Sequence, residues 1–253
     1  MNPHRANVLG VGISAIDIGD ALRMIERWIE SREQHYVCVC VVHTIMECQK
    51  DPELRKIVNS AGLATPDGMP LVWLAKLRGF RNVDRVYGPD LLLAFCALAE
   101  NKGYSNFFYG GADGVPEELA KNLQQRFPKL KIVGTFSPPF RPLTPEEDRS
   151  IGEMIDAASP DVVWVGLSTP KQERWMADHL GYIRVPVMIG VGAAFDFLSG
   201  RVKQAPRWMQ RSGLEWLFRL SQEPRRLWRR YLIYNPLFIY NLVLQCTGLK
   251  DFE

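Results

Sequence analysis

The chain has 253 residues, 47% of them apolar and 23% charged, with a formal net charge of +3. A chain of this length forms one or two domains and buries about 70–75% of its unfolded surface, so its core needs no disulfide or metal staple. Such a composition excludes disordered, collagen-like and disulfide-scaffold proteins.

Apolar runs alternate with helix-period segments in chain order. Strands are expected near Asn7 to Ile13, Tyr36 to Val42, Leu63 to Thr65, Asn106 to Tyr109, Lys131 to Thr135, Asp161 to Gly166 and Val185 to Val191. Helices are expected near Asp17 to Ser31, Pro52 to Ser60, Met69 to Leu77, Pro89 to Asn101, Val115 to Phe127, Pro145 to Ala158 and Pro170 to Leu180. This alternation predicts an α/β fold over residues 1–199, a Rossmann-like, mostly parallel sheet covered by helices on both faces. Residues 200–253 read as a helical, basic C-terminal appendage.

The five cysteines, Cys38, Cys40, Cys48, Cys96 and Cys246, form no Cys-x-x-Cys pair, and the four histidines are scattered, so no structural zinc site is expected. Cys38 and Cys40 alternate along a strand and read as small core residues, and free thiols point to a reducing cytoplasm. The N-terminus carries no signal-peptide pattern. The longest apolar stretch, Tyr231 to Cys246, is shorter than the roughly 20 residues of a spanning helix. Asn235, Pro236 and Asn241 interrupt it, so it can lie on a membrane without crossing it.

The total charge hides an asymmetry. Met1 to Ser199 carries 21 Lys and Arg against 24 Asp and Glu, whereas Gly200 to Tyr231 carries 9 against 2. A basic segment of this kind seeks phosphate on nucleic acid, lipid or nucleotide. No RNA-binding signature accompanies it, so nucleic acid is not the expected partner.

In parallel sheets ligands bind at the carboxyl ends of the strands, where the polar loops of this chain collect. Gly10-Val11-Gly12 follows the first strand, Thr65-Pro66-Asp67-Gly68 the third, Gly110-Gly111 the fourth, Ser168 to Glu173 the sixth and Gly192 to Asp196 the seventh. Gly110 and Gly111 either form a tight turn with positive φ or bring backbone N–H groups to a phosphate at a helix start. The missing third glycine after Gly10-x-Gly12 favours a mononucleotide over a dinucleotide and argues against a nicotinamide-dependent oxidoreductase. Asp67 is either the N-cap of the Met69 helix or a general base facing the cleft. Asp196 either binds nucleotide-sugar hydroxyls or holds its own loop; His43 is either a ligand contact or a hydrogen-bonded buried histidine. No Asp-x-Asp pair is present to hold Mg²⁺ or Mn²⁺ on a diphosphate, so neutralisation is expected from helix N-termini and tail cations, without metal or cofactor.

After Pro224, Leu227, Trp228, Tyr231 and Leu232 alternate with Arg225, Arg226, Arg229 and Arg230 at helical spacing. One apolar and one cationic face result, fitting either a surface helix over the core or an interfacial helix on anionic lipid. Apolar tail surface left bare in the absence of lipid is expected to drive self-association.

The blocks TPDGMPLVW (Thr65 to Trp73), RVYGPDLL (Arg85 to Leu92), FFYGGADGV (Phe107 to Val115), VGLSTPKQERWM (Val165 to Met176), GVGAAFDFLSGRVKQAPRWMQRSGLEWLFRL (Gly190 to Leu220) and PRRLWRRYL (Pro224 to Leu232) resemble, in order, the WecG/TagA/CpsF family of bacterial glycosyltransferases. The resemblance implies an inverting, metal-independent transferase acting at the cytoplasmic face of the bacterial membrane. It would move a HexNAc, hexose or hexuronic acid from a UDP-sugar to a polyprenyl-diphosphate-linked acceptor in surface polysaccharide synthesis. It implies Asp67 as base, Gln172 and Asp196 at the nucleotide-sugar site, and Arg219, Arg226 and Arg229 in membrane docking and active-site closure; Gly110, Gly111, Gly192 and His43 are the further candidate substrate-binding residues. Many relatives carry Thr-x-Asn where this chain has Val39-Cys40-Val41, so polar contacts there would be lost or passed to His43. The alternative from another class is a non-catalytic, membrane-associated nucleotide-binding module of a polysaccharide assembly complex.

Overall fold

Six of the seven expected strands form one parallel sheet. In the computed structural model, which describes residues 3–252, the elements follow in chain order. They are β1 (Arg5–Val8), β2 (Val11–Ser14), α1 (Ile18–Ser31), β3 (His35–Cys40), α2 (Val42–Lys50), α3 (Pro52–Ser60), β4 (Leu63–Pro66), α4 (Met69–Leu77) and α5 (Gly88–Lys102). Then come β5 (Ser105–Gly110), α6 (Val115–Arg126), β6 (Lys131–Phe136), α7 (Pro145–Ala158), β7 (Val162–Gly166), α8 (Lys171–His179), β8 (Val187–Gly190) and α9 (Ala194–Ser199). The appendage adds α10 (Arg207–Arg211), α11 (Glu215–Gln222), α12 (Pro224–Trp228), a π-helical turn (Arg229–Ile233) and α13 (Tyr234–Cys246). The sheet order is β4-β3-β8-β7-β5-β6, with every pairing parallel.

Alternation along the strands sorts the core into two layers. Tyr36, Cys38 and Cys40 of β3 join Ala64, Val163 and Met188 on one face, while Val37 and Val39 join Leu63, Trp164 and Ile189 on the other. Strands buried on both faces read as continuous apolar runs, which is why they were legible. The thiols of Cys38 and Cys40 lie wholly inside, where burial pushes their pKa well up.

Two local readings are corrected. The expected strand Asn7 to Ile13 is a hairpin, β1 antiparallel to β2, outside the six-stranded sheet. Leu9 (φ 51°) and Gly10 (φ 79°) form its turn, with positive φ at both central positions, and Asn7 Oδ1 accepts the Gly10 N–H at 2.7 Å. Gly10-x-Gly12 therefore belongs to a hairpin and not to a strand end of the main sheet. The strand expected to reach Val42 stops at Cys40, because Val41 adopts a helix-entry conformation and Thr44 Oγ1 accepts its N–H at 3.3 Å.

The appendage folds back on the sheet layers. Tyr234 Oη donates to Glu47 Oε1 of α2 at 2.6 Å, and Gln245 Oε1 accepts the Leu9 N–H at 3.2 Å. Phe238 and Phe252 are buried in the layer that contains Cys38 and Cys40. The expected two-faced helix is split: Leu227 and Tyr231 are buried, Trp228, Leu232 and Ile233 are exposed, and the Arg230 side chain turns inward. The π turn at Arg229–Ile233 adds a residue to the helical repeat and shifts the face that follows. No helix of the described residues is long and apolar enough to cross a membrane.

Candidate active site

A cavity of about 990 Å³ opens at the carboxyl ends of β4, β3, β8 and β7, with the appendage as its far wall. Asp67 follows β4 directly and is 8% exposed. Its N–H donates to the Cys40 carbonyl at 2.9 Å, which pins the residue beside β3. Gly68, not Asp67, is the N-cap of α4 and no side chain caps that helix, so the capping alternative for Asp67 falls.

The carboxylate is held by a residue 18 positions on. Arg85 Nη2 donates to Asp67 Oδ1 at 2.9 Å and its Nε at 3.2 Å, and the Gly88 N–H at the start of α5 lies 3.5 Å from Oδ2. The same Nη2 donates to Glu215 Oε2 at 2.5 Å, Tyr87 Oη donates to Glu215 Oε1 at 3.1 Å, and the guanidinium lies 4.1 Å from the Tyr87 ring centroid. A buried carboxylate, Asp67, and a half-buried one, Glu215, thus share one guanidinium, tying α11 of the appendage to the floor of the cleft. Burial raises the Asp67 pKa to about 6, with Arg85 opposing and the Glu215 charge adding to the rise.

Four arginines of the appendage line the cavity: Arg219, Arg226, Arg229 and Arg230. Arg219 lies 5.3 Å from the Phe197 ring, Arg229 lies 5.2 Å from the Trp228 ring, and Arg226 pairs with Glu223 at 2.5 Å. Arg230 is half-buried with its Nε inside, and burial lowers its pKa.

The unsatisfied groups converge here as well. Among the described residues, the buried side-chain atoms without a hydrogen bond are His43 Nδ1, Thr65 Oγ1, Gln172 Oε1, Glu173 Oε2, Arg219 Nε and Arg230 Nε. His43, Gln172, Arg219 and Arg230 line the cavity, Thr65 sits two residues before Asp67, and Glu173 follows Gln172. An unpaired buried polar group costs about 1–3 kcal/mol, so such a cluster at one cavity is complementary to a polar ligand. Glu173 is wholly buried, accepts from Thr169 Oγ1 at 2.8 Å and Gln172 Nε2 at 3.1 Å, and has its pKa raised by burial. His43 stacks on Tyr234 with centroids 5.5 Å apart; burial, with Arg230 and Lys50 nearby, pushes its pKa down to about 3 and keeps the ring neutral.

The cavity therefore gathers Asp67, His43, Gln172, Gly192, Asp196, Arg219, Arg226 and Arg229. The Asp196 pKa is raised, chiefly by burial, and Arg226 and Arg219 are among the charges that act on it. Gly110 and Gly111 are not among its lining residues. A Cβ on Gly110, where φ is 120°, would stand 2.7 Å from the Gly166 carbonyl carbon, so close strand packing explains this glycine without a phosphate. Gly110→Ala is expected to destabilise the fold by at least about 2 kcal/mol, read as a lowered denaturant midpoint.

Arg85, Tyr87, Glu215 and Glu173 had no role of their own in the sequence reading, and Arg230 had only a place on the cationic face of the tail. Their signals were faint: Arg85 and Tyr87 lie in one quoted block, and Glu215 is one of only two acids in the basic segment from Gly200 to Tyr231.

The family model described as the glycosyl transferase WecG/TagA/CpsF family matches residues 6–251. The chain belongs to that family. This glycosyltransferase is 34% identical over 186 residues, 74% of its own chain and 70% of the relative, to the N-acetylglucosaminyldiphosphoundecaprenol N-acetyl-beta-D-mannosaminyltransferase of Bacillus spizizenii. To the protein of the same name from Bacillus subtilis, the glycosyltransferase is 31% identical over 214 residues, 81% of each chain.

Proposed function

We propose that this glycosyltransferase moves a sugar from a UDP-sugar to a polyprenyl-diphosphate-linked sugar, with inversion and without a metal ion. The observation that carries the reading is one cavity holding a buried carboxylate with a pKa of about 6 among four arginines. Asp67 accepts the proton of the acceptor hydroxyl as that oxygen attacks the anomeric carbon. The carbon–oxygen bond to the diphosphate breaks on the opposite face, and UDP leaves with the electron pair. A base with a pKa near the working pH suits this step, and Arg219, Arg226, Arg229 and Arg230 suit the charge that grows on the leaving diphosphate. Gln172, Asp196 and Gly192 are assigned to the donor, and His43 takes the place left by the absent Thr-x-Asn pair. Gly110 and Gly111 lie outside the lining of this cavity.

The relatives' names make a ManNAc donor and a GlcNAc-diphosphoundecaprenol acceptor the first pair to try. UDP release is measured with UDP-linked GlcNAc, ManNAc, ManNAcA, Glc and GlcA, with and without the acceptor, in EDTA. Acceptor-dependent release from one donor is the expected result. UDP binding without release from any donor would favour the binding-module reading instead.

The work takes place on a membrane surface of the cytoplasmic face, to which the enzyme binds peripherally. Support comes from Trp208, Trp228, Leu232 and Ile233, exposed by 64%, 43%, 56% and 47%, beside the exposed Arg225 and Arg229. Trp228→Ser with Leu232→Ser is expected to cut co-sedimentation with anionic liposomes at least fivefold; unchanged binding would move the docking surface elsewhere. Removing everything after Ser199 is a poorer test, because it would uncover the layer that Phe238 and Phe252 complete. Self-association through the same apolar surface would appear as a mass that falls when detergent is added.

A further inference from the structure

The cavity has a second pole that the proposed chemistry does not use. Beyond Asp67 its walls are one face of α4 and one face of α13. Met69, Trp73 and Leu77 recur every four residues on α4, and Phe238, Ile239 and Leu242 fall at i, i+1 and i+4 on α13, spacings that place each set on a single helix face. From Met69 to Leu77 the helix advances about 12 Å. No charged residue occurs between Tyr234 and Cys246.

Phe238 belongs to the core, but three of these side chains do not fill it. Leu71, Val72 and Ala75 are the buried residues of α4, whereas Trp73, Leu77 and Ile239 are 45%, 83% and 61% exposed while lining a concavity. Arg78 Nη2 donates to Gln245 Oε1 at 2.8 Å, tying the residue after α4 to the last turn of α13 and holding the two walls together. A bare apolar trough, continuous with a pocket of four arginines and hydrogen-bonding groups, has the polarity of an amphiphile with an anionic head.

We infer that the trough between α4 and α13 seats the diphosphate-proximal isoprene units of a polyprenyl-diphosphate substrate, with the chain leaving past Leu77 and Ile239. The inference rests on the acceptor reading above and adds to it where the lipid lies. Every apolar group taken from water in the trough adds to affinity, so chain length becomes a measurable variable. The exposed face of α13 formed by Leu237, Tyr240 and Val243 lies outside the trough and remains free to meet the bilayer from which the chain comes.

The test is calorimetric binding of inorganic diphosphate, geranyl diphosphate and geranylgeranyl diphosphate to the full chain, with UDP as a control. The expected result is affinity that rises with chain length, the C20 compound binding at least tenfold more tightly than inorganic diphosphate. Leu77→Glu and Ile239→Glu, both at exposed positions, should each weaken C20 binding at least tenfold and leave UDP and inorganic diphosphate unchanged. Binding indifferent to chain length, or variants that hold the C20 compound as well as the parent, would overturn the trough even if sugar transfer proceeds. Variants that instead dissociate a dimer in sedimentation would make the trough an interface between copies and overturn it too. Chain-length-dependent binding without transfer to any polyprenyl-diphosphate sugar would leave the trough standing and overturn the acceptor reading alone.

Discussion

Asp67→Asn is expected to lower turnover by about 10²- to 10⁴-fold, the range attributed to a positioned general base, while UDP binding changes little. The amide keeps the shape and a hydrogen bond to Arg85 but cannot take the acceptor's proton. In the parent, kcat/KM should fall as pH drops through about 6, where burial has placed the Asp67 pKa. Stability should move the other way. The folded state holds this proton more tightly than the unfolded chain, whose carboxyl titrates near 3.8, so the group's contribution to stability is lost as pH rises from 3.8 through about 6. Asp67→Asn should therefore be at least as stable as the parent at pH 7 by denaturant titration. Near-normal turnover in the variant would remove Asp67 from the mechanism.

Arg85→Ala should be the most damaging single change to the fold near the site. It leaves the buried Asp67 and the half-buried Glu215 without their shared guanidinium. Breaking a buried pair by removing one partner costs about 3–5 kcal/mol, and here one deletion strands two charges. The loss should be largest above pH 7 and shrink toward pH 5, because protonation of Asp67 relieves it. Without Arg85 the base is pushed further up, so the acid limb of kcat/KM should move to higher pH. Glu215→Gln should shift that limb the opposite way, since it removes a charge that raises the Asp67 pKa while keeping the shape. A destabilisation that does not vary with pH would mean that Arg85 acts through packing alone.

How far the site was legible follows from how local its parts are. Asp67 was visible because T-P-D-G joins a short apolar strand to a helix start, and a residue there must face the carboxyl end of a parallel sheet. The same rule placed the loops of Gln172 and Asp196 after β7 and β8, but their donor roles came from the family resemblance. Gly110-Gly111 obeys it equally well, yet its strand, β5, is separated by β7 from the strands that floor most of the cavity, and its glycine answers to the backbone of Gly166. The local pattern of a phosphate loop and of a close strand contact is the same, and the contact Gly110 makes with Gly166 appears only in the tertiary structure.

Alternation of period-2 and period-3.6 hydrophobicity was enough for six parallel strands, most of their helices and the rim on which the polar loops gather, because these are near-neighbour properties of the chain; it missed α2, which takes over where β3 was expected to continue, and the short α9. Which carboxylate is paired, and by what, was beyond that reach. Arg85 and Glu215 lie 130 positions apart, and nothing in either segment encodes their meeting. The course of the appendage was also unreadable locally, since a π turn rotates its faces and its last residues return to the hairpin at the other end of the chain, where Asn7 Nδ2 donates to the Phe252 carbonyl at 3.1 Å. Element type is set by contacts a few residues apart, whereas the charge state of Asp67 and the apolar trough beside it exist only once distant segments share one cavity, because desolvation and pairing are properties of the assembled surroundings.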